Sequence, residues 1–166
     1  MYRSFTKSAK KSFNQDWDLK ALIQRVDSAE VEINNKIISS IGSGLLIFLG
    51  IYFDDTIVDI NKLYNKIINL RIFEENNKFS IRDIVGEILL VSQFTLNANI
   101  QKGNRPSFIN SEEPDIAEKM IEKVAIELSN SLTVKQGKFG AFMEVSLIND
   151  GPLTMFIESK DGRLVT

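Results

Sequence analysis

The stretch Gly42-Ser43-Gly44-Leu45-Leu46-Ile47-Phe48-Leu49-Gly50-Ile51-Tyr52-Phe53 decides the fold class of this chain. Its glycines interrupt the backbone, and residues 45–53 that follow form an uncharged, apolar run. Such a run is typical of a strand that is covered on both faces. The stretch therefore predicts a buried strand inside a domain that also contains helices.

Shorter strand patterns precede this stretch. Residues 21–26 and 29–33 predict two strands, split near residues 27–28, and the second alternates cleanly between apolar and polar side chains. Asn34-Asn35 predicts a tight turn, after which residues 36–41 predict a further strand.

Two helices are expected after the buried strand. Asp54-Asp55 predicts a cap for a helix that starts near Thr56, and Pro114 is typical of the first turn of a second helix. Apolar residues three or four positions apart predict the buried faces. They are Ile57, Ile60, Leu63, Tyr64, Ile67 and Ile68 in the first helix, and Ile116, Met120, Ile121, Val124 and Leu128 in the second.

Residues 86–91 predict another strand, and residues 141–148 and 153–158 predict two more around a turn, with a frayed end after Ser159. The fold expected from this order is a mixed α/β domain without internal repeats. The domain is expected over residues 19–159, between an N-terminal extension (1–18) and a C-terminal tail (160–166).

The composition restricts the chemistry. The chain has 166 residues, a net charge of −2, and neither histidine nor cysteine. Disulfides, thiolate metal sites and serine–histidine triads are therefore excluded. Oxygen-only ligation of Mg²⁺ or Ca²⁺ stays open, although the sequence has no Asp-x-Asp-x-Asp-Gly loop, and we expect neither a metal nor another cofactor. No apolar run is long enough to span a membrane, so no membrane partner is expected.

Ser92-Gln93-Phe94-Thr95 is the first candidate site, because it stands where a predicted strand ends and a long loop begins. Strand ends in α/β proteins are favoured binding positions. These residues supply hydroxyls and an amide beside an aromatic ring that a base or a sugar could contact. The plainer interpretation is an edge strand with outward polar residues.

Asn149-Asp150-Gly151-Pro152 is the second candidate, although its residue types indicate first of all a hairpin turn. Proline has no N–H group, so a Gly-Pro pair leaves nearby carbonyls open to a ligand. Lys102, Arg105, Lys135 and Lys138 form a possible phosphate-facing patch, and ordinary surface lysines are an equal alternative.

Taken together, these motifs resemble the D-aminoacyl-tRNA deacylase (D-tyrosyl-tRNA deacylase) family over residues 19–159. The resemblance rests on residues 22–26, 92–96, 103–108 and 149–154. It implies mostly antiparallel, curved and barrel-like sheets with two helices. It also implies a homodimer in which a cis Gly-Pro motif enters the pocket of the partner.

By this resemblance, Ser92, Gln93, Phe94 and Thr95 hold the ester and the 3′-terminal adenosine of an aminoacylated tRNA. Gly151 and Pro152, with Asn149 beside them, exclude L-aminoacyl groups, and Arg25 holds their turn. The expected reaction is hydrolysis of D-aminoacyl-tRNA, and of glycyl groups mischarged on an alanine tRNA, assisted by the 2′-hydroxyl of the substrate.

Two alternatives stay open: a tRNA-binding module without catalysis, and the sister deacylase that acts on L-Ala. Ser92 and Phe94 match the D-specific group. The resemblance implies a cytoplasmic enzyme of translational proofreading. The basic, acid-poor residues 1–15 leave an organellar address as a second interpretation.

Overall fold

The computed structural model describes residues 19–74 and 76–165, and of Pro152 only the backbone. The N-terminal extension predicted from the sequence lies outside these residues. These described residues form nine strands, two α-helices and one 3₁₀ helix. In order they are β1 (Leu19–Ile33), β2 (Lys36–Ile41), β3 (Gly44–Gly50), α1 (Ile57–Asn69), β4 (Arg71–Phe73), β5 (Phe79–Ser80), β6 (Glu87–Ser92), the 3₁₀ helix (Phe94–Asn97), α2 (Pro114–Ser129), β7 (Thr133–Gln136), β8 (Glu144–Lys160) and β9 (Arg163–Leu164).

A seven-stranded mixed sheet organises the molecule, in the order β7-β6-β3-β1-β8-β9 with β2 also paired to β1. The pairs β3–β6 and β6–β7 are parallel, and the other pairs in this sheet are antiparallel. The predicted apolar strand is β3, in the middle of this order. Its side chains are almost all buried, as expected for a strand covered on both faces.

The sheet curls until its far strands approach each other. One edge of β1 pairs first with β3 and then with β2, which brings β2 over β7. There Ser39 Oγ donates to the carbonyl of Gln136 (2.5 Å), and Lys135 Nζ donates to the carbonyl of Ser40 (2.6 Å). These contacts give the sheet its barrel-like closure, so the predicted mixed α/β, barrel-like fold class is confirmed.

Two apolar clusters fill the two sides of the sheet. One lies between the sheet and the helices, and the other lies inside the curl, where Val26, Leu46 and Leu89 pack together. Helix α1 begins at the predicted place, but its N-cap is Thr56, whose N–H donates to Asp59 Oδ2 (2.9 Å). The sequence therefore misplaced the cap at Asp54-Asp55.

The helix faces agree with the predicted stripes except at their first positions. Ile57 and Ile116 are 39% and 44% exposed, and each stands in the first turn of its helix. Ala117 and Ala125 complete the buried face of α2 instead. No helix in the described part of the chain is long and apolar enough to cross a membrane.

Three further predictions were wrong. Strand β1 continues through Asp27 and Ser28, because there it only changes neighbour from β3 to β2 and shifts register against β8. Residues 149–152 form no hairpin turn between two strands, because they lie within a single strand, β8, whose pairing with β1 is interrupted after Asn149 and resumes at Thr154. The end of the chain is ordered through Leu164, since β9 pairs with Ser159 and Lys160.

Candidate functional site

The first motif begins at the end of β6 and is fixed to β3. The N–H of Gln93 donates to the carbonyl of Leu49 (2.8 Å), and the chain then turns into the 3₁₀ helix. Buried Asn97 donates through Nδ2 to the carbonyl of Ile51 (2.7 Å). Gly50 allows the end of β3 to lie this close to the motif, because a Cβ at position 50 would lie 3.0 Å from the carbonyl oxygen of Gln93. The position of the motif is therefore set by β3.

The side chains of the motif differ in their surroundings. Phe94 is 40% exposed and packs edge-on against Phe108, with ring centroids 5.1 Å apart. Ser111 Oγ donates to the carbonyl of Phe94 (3.2 Å). Thr95 is exposed, and its hydroxyl accepts a hydrogen bond from Gln93 Nε2. The partner of the Thr95 hydroxyl is thus an amide, which is not a base.

A cavity of about 510 Å³ opens beside this motif. Ser92, Gln93 and Phe94 line one side, α2 lines another, and residues 139–143 close the third. This volume falls in the range of small-molecule sites. The lining is mostly apolar, and Glu112 is the single ionisable side chain among the described residues that form it. The cavity thus suits a largely apolar group held by a few polar contacts.

The second motif forms a loop inside β8. Gln24 of β1 pairs with Thr154, and Val26 pairs with Asn149, so residues 150–153 all stand opposite Arg25. A bulge normally adds one residue, whereas this one adds three. The sequence Asp150-Gly151-Pro152-Leu153 therefore leaves the sheet as a protruding loop, which we call the β8 loop.

Arg25 and Asn149 hold the β8 loop at its base. Arg25 Nε lies 2.8 Å from Asp150 Oδ2 and 3.1 Å from the Asp150 carbonyl oxygen, and Nη1 donates to the carbonyl of Ile72. Asn149 Nδ2 donates to the carbonyls of Arg25 (2.8 Å) and Leu153 (3.2 Å). The start of the loop is thereby bonded to Arg25 of β1, and its end is bonded to Asn149 of β8.

Gly151 is required by the tightness of the β8 loop. A Cβ at this position would lie 2.3 Å from the amide nitrogen of Leu153, which no real side chain could accommodate. The loop therefore exposes backbone at Gly151.

The two motifs are far apart within one chain. Ser92 pairs with Leu49, which pairs with Ala21, four residues along β1 from Arg25. Four residues along a strand and three strand spacings correspond to about 20 Å. Of the described side chains of this motif, those of Asn149 and Asp150 do not line the cavity beside Ser92, and neither does Gly151. The structure thus brings Ser92, Gln93 and Phe94 together, but leaves Thr95 outside the cavity and the β8 loop elsewhere.

The basic residues do not gather into one patch with Lys135. Its ammonium lies 3.3 Å from Glu87 and also closes the barrel through Ser40. Glu87 accepts the N–H of Gly42 (2.8 Å), and this hydrogen bond, with help from Lys135, holds the pKa of the Glu87 carboxyl below its usual value. Both groups therefore belong to the fold.

Residues 139–143 and Glu112 were missed as site residues. Glu112 is half-buried, and its Oε1 accepts the N–H of Glu113 (2.8 Å). The glycine at position 140 was the available sequence signal for a tight loop before β8, and its φ of +71° shows that the loop uses it. In the part of the chain that the structure describes, no three His, Cys, Asp or Glu side chains form a metal-binding cluster.

Fold, cavity and motif sequences define a class of small mixed α/β proteins with a candidate ligand site, and comparison with known proteins identifies the family. The family model described as D-Tyr-tRNA(Tyr) deacylase matches residues 22–158. D-aminoacyl-tRNA deacylases of Flavobacterium psychrophilum and Aquifex aeolicus are 51% and 49% identical to this chain. Each match covers 86% of this chain and 99% of the relative. The chain belongs to the D-Tyr-tRNA(Tyr) deacylase family, as the resemblance predicted.

Two solved structures are similar to this fold. The structure titled c-Myc DNA Unwinding Element Binding Protein has a TM-score of 0.79 and 40% identity, and the match covers 85% of this chain and 99% of that one. A probable eukaryotic D-amino acid tRNA deacylase has a TM-score of 0.73 at 16% identity, covering 84% of this chain and 98% of that one. The second likeness concerns the fold alone.

Proposed function

We propose that this protein hydrolyses the ester bond of D-aminoacyl-tRNA and spares the L-aminoacyl form. One observation carries the proposal: both signature motifs are intact and are presented at fixed positions, one beside a cavity and the other as a protruding loop. Relatives named for this activity share about half of their residues with the chain. The activity belongs to translational proofreading, in the cytoplasm.

The first motif holds the reacting ester. The terminal adenosine of the tRNA occupies the apolar cavity, where Phe94 offers a ring face or edge and Ser92 a hydroxyl. The ester carbonyl faces backbone N–H groups in the first turn of the 3₁₀ helix, such as that of Thr95, which have no acceptor within the helix. Fixed N–H donors of this kind stabilise the oxyanion by about 2.7–4 kcal/mol.

The hydrolysis uses a hydroxyl group of the substrate. Water attacks the ester carbonyl, the bond to the ribose oxygen breaks, and the proton that the water loses reaches that oxygen. The neighbouring 2′-hydroxyl of the ribose relays this proton. Two findings support this route: the chain has no histidine or cysteine, and the Thr95 hydroxyl is bonded to an amide rather than a base.

The β8 loop discriminates between enantiomers. Carbonyl groups of Gly151 and Pro152, joined by a cis peptide, accept hydrogen bonds from the α-amino group of the substrate. An L-side chain would then collide with the backbone of the loop, whereas D-aminoacyl and glycyl groups fit, including glycine on an alanine tRNA. The support is the exposed, side-chain-free backbone at Gly151 and its anchoring by Arg25 and Asn149.

A second copy of the chain completes the site. The separation of about 20 Å prevents one chain from placing its β8 loop over its own cavity. Beside the loop, Phe48, Leu22 and Phe156 form a row across three strands, and Phe156 is 40% exposed. This partly apolar row is the surface on which the partner packs, so that each loop enters the cavity of the other copy.

The test is deacylation by the purified protein. We expect release of amino acid from D-tyrosyl-tRNA and from glycyl-tRNA, with L-tyrosyl-tRNA left intact at the same enzyme concentration. Spontaneous hydrolysis without enzyme provides the baseline. Equal rates on the two tyrosyl enantiomers would disprove the chiral function, and binding without release would favour a tRNA-binding module.

A further inference from the structure

Phe142 is displayed at the mouth of the cavity. Its side chain is 100% exposed, although the residue contributes to the lining together with Ser92 and Phe94. Exposing a whole phenyl ring to water forgoes the stabilisation that burial would give. An unburied aromatic ring beside a ligand cavity points to a ligand that covers it.

The loop that carries Phe142 is anchored on both sides. Phe139 packs against the core below the helices, and Met143 packs into the core inside the barrel. The N–H of Lys138 donates to Met143 Sδ (3.3 Å), and the N–H of Ala141 donates to the carbonyl of Lys138 (3.2 Å). The outward position of Phe142 is therefore imposed by its neighbours.

Charge favours this side of the cavity for a nucleic acid strand. A second cavity of about 550 Å³ shares Ser92 and Phe139 with the first. Carboxylates outnumber ammonium groups in its lining, which contains Asp115, Glu118 and Glu122 against Lys119 and Lys138. Residues 137–143 carry a lysine and no acid. Phosphates that leave the first cavity are therefore repelled by the acidic lining of the second cavity, whereas no carboxylate of residues 137–143 repels them over Phe142.

We propose that Phe142 stacks on the nucleobase that precedes the terminal adenosine of the bound tRNA. This inference rests on the proposed function, since it takes the terminal adenosine to occupy the cavity. Unpaired bases stack on exposed aromatic rings with little regard to sequence. Phe142 is therefore a substrate-positioning residue that acts outside the reacting ester.

The experiment compares two substrates that differ only beyond the terminal nucleoside: D-tyrosyl-tRNA and the D-tyrosyl ester of adenosine. For Phe142→Ala we expect KM for the tRNA substrate to rise about tenfold, from the loss of one stacked base, with kcat kept within about twofold. The KM for the adenosine ester rises by less than about twofold, because the exposed Phe142 ring stacks beyond the terminal nucleoside. Phe142→Tyr restores the KM, and Ile126→Ala, at an exposed position on α2, serves as the matched control.

Three results would overturn the proposal. They are an equal loss on both substrates, unchanged kinetics on the tRNA substrate, and a change of oligomeric state in Phe142→Ala, measured by light scattering. Failure of the proposed function has a different signature, because the wild-type protein would then hydrolyse neither substrate. In that case titration with uncharged tRNA decides, and Phe142→Ala must weaken binding about tenfold for the stacking contact to stand.

Discussion

Arg25 and Asp150 hold each other across the ladder of β1 and β8. The guanidinium of Arg25 contacts both the carboxylate (2.8 Å) and the backbone carbonyl (3.1 Å) of Asp150. In return, Asn149 donates to the backbone carbonyl of Arg25 (2.8 Å). This reciprocal contact fixes the β8 loop at the point where its residues outnumber those of the opposite strand.

Arg25→Lys should loosen the β8 loop without removing the positive charge. A lysine is a single point donor and cannot replace contacts to Asp150 and Ile72 at once. We expect the ratio of D- to L-tyrosyl-tRNA hydrolysis to fall about tenfold, mainly through gained activity on the L-form. Arg71→Lys is the matched control, since Arg71 is exposed and donates to the nearby carbonyl of Lys78. An unchanged ratio would show that Arg25 does not orient the loop.

Thr95→Ala and Pro152→Ala should have separable effects. The Thr95 hydroxyl has no base beside it, so its removal should lower kcat by less than about tenfold. Pro152→Ala should instead admit L-tyrosyl-tRNA, because the loop backbone that excludes it is altered. Single-turnover deacylation of both enantiomers distinguishes the two. Loss of all activity in Thr95→Ala, with L-exclusion intact in Pro152→Ala, would establish Thr95 as the nucleophile.

Glu112→Gln tests whether the protein supplies a base after all. Glu112 is the carboxylate in the cavity lining, and a general base contributes a factor of about 10²–10⁴. Because the proposed reaction uses the 2′-hydroxyl of the substrate, we expect kcat to change by less than about threefold. The rate constant should be measured by single-turnover deacylation of D-tyrosyl-tRNA by wild type and variant. A large loss would assign the role of base to Glu112.

Glu87→Gln should destabilise the protein at neutral pH and much less in acid. The hydrogen bond from the N–H of Gly42 lowers the pKa of Glu87 in the folded state, and the ammonium of Lys135 lowers it further. A lowered pKa adds stability above the unfolded value of about 4.3, and this stability is lost as pH falls through the folded pKa. Urea unfolding should show a larger difference between wild type and variant at pH 7 than at pH 3. A difference of the same size at both pH values would contradict this assignment.

The sequence predicted the elements whose signals are local. The turn at Asn34-Asn35 has φ values of 53° and 58°, which asparagine tolerates, and β3 and both helices follow from their apolar patterns. The Asn-Asp-Gly-Pro segment was misinterpreted because a loop within a strand uses the same residues as a hairpin turn. Only pairing of β1 with both halves of β8 distinguishes them, and that pairing is not local.

The candidate site was also predictable only where its signals are local. Ser92, Gln93 and Phe94 line the cavity as the strand-end position suggested, but the opposite wall comes from residues 139–143. These arrive through β7, a short strand of mixed polarity that joins the sheet by parallel pairing with β6. The sequence of β7 has no clear alternation of apolar and polar residues, so it does not predict a strand. The missing wall therefore depends on a tertiary contact.

The most direct test of a site shared between two copies is complementation of two inactive variants. Phe94→Ala damages the cavity, and a variant with residues 150–153 replaced by four alanines damages the β8 loop. If each loop serves the partner, a mixed dimer contains one intact site, so refolding the two variants together should restore D-tyrosyl-tRNA hydrolysis. The expected level is about a quarter of the wild-type rate, since half of the dimers are mixed and each has one site. A mixture that stays as inactive as either variant alone would contradict the shared site.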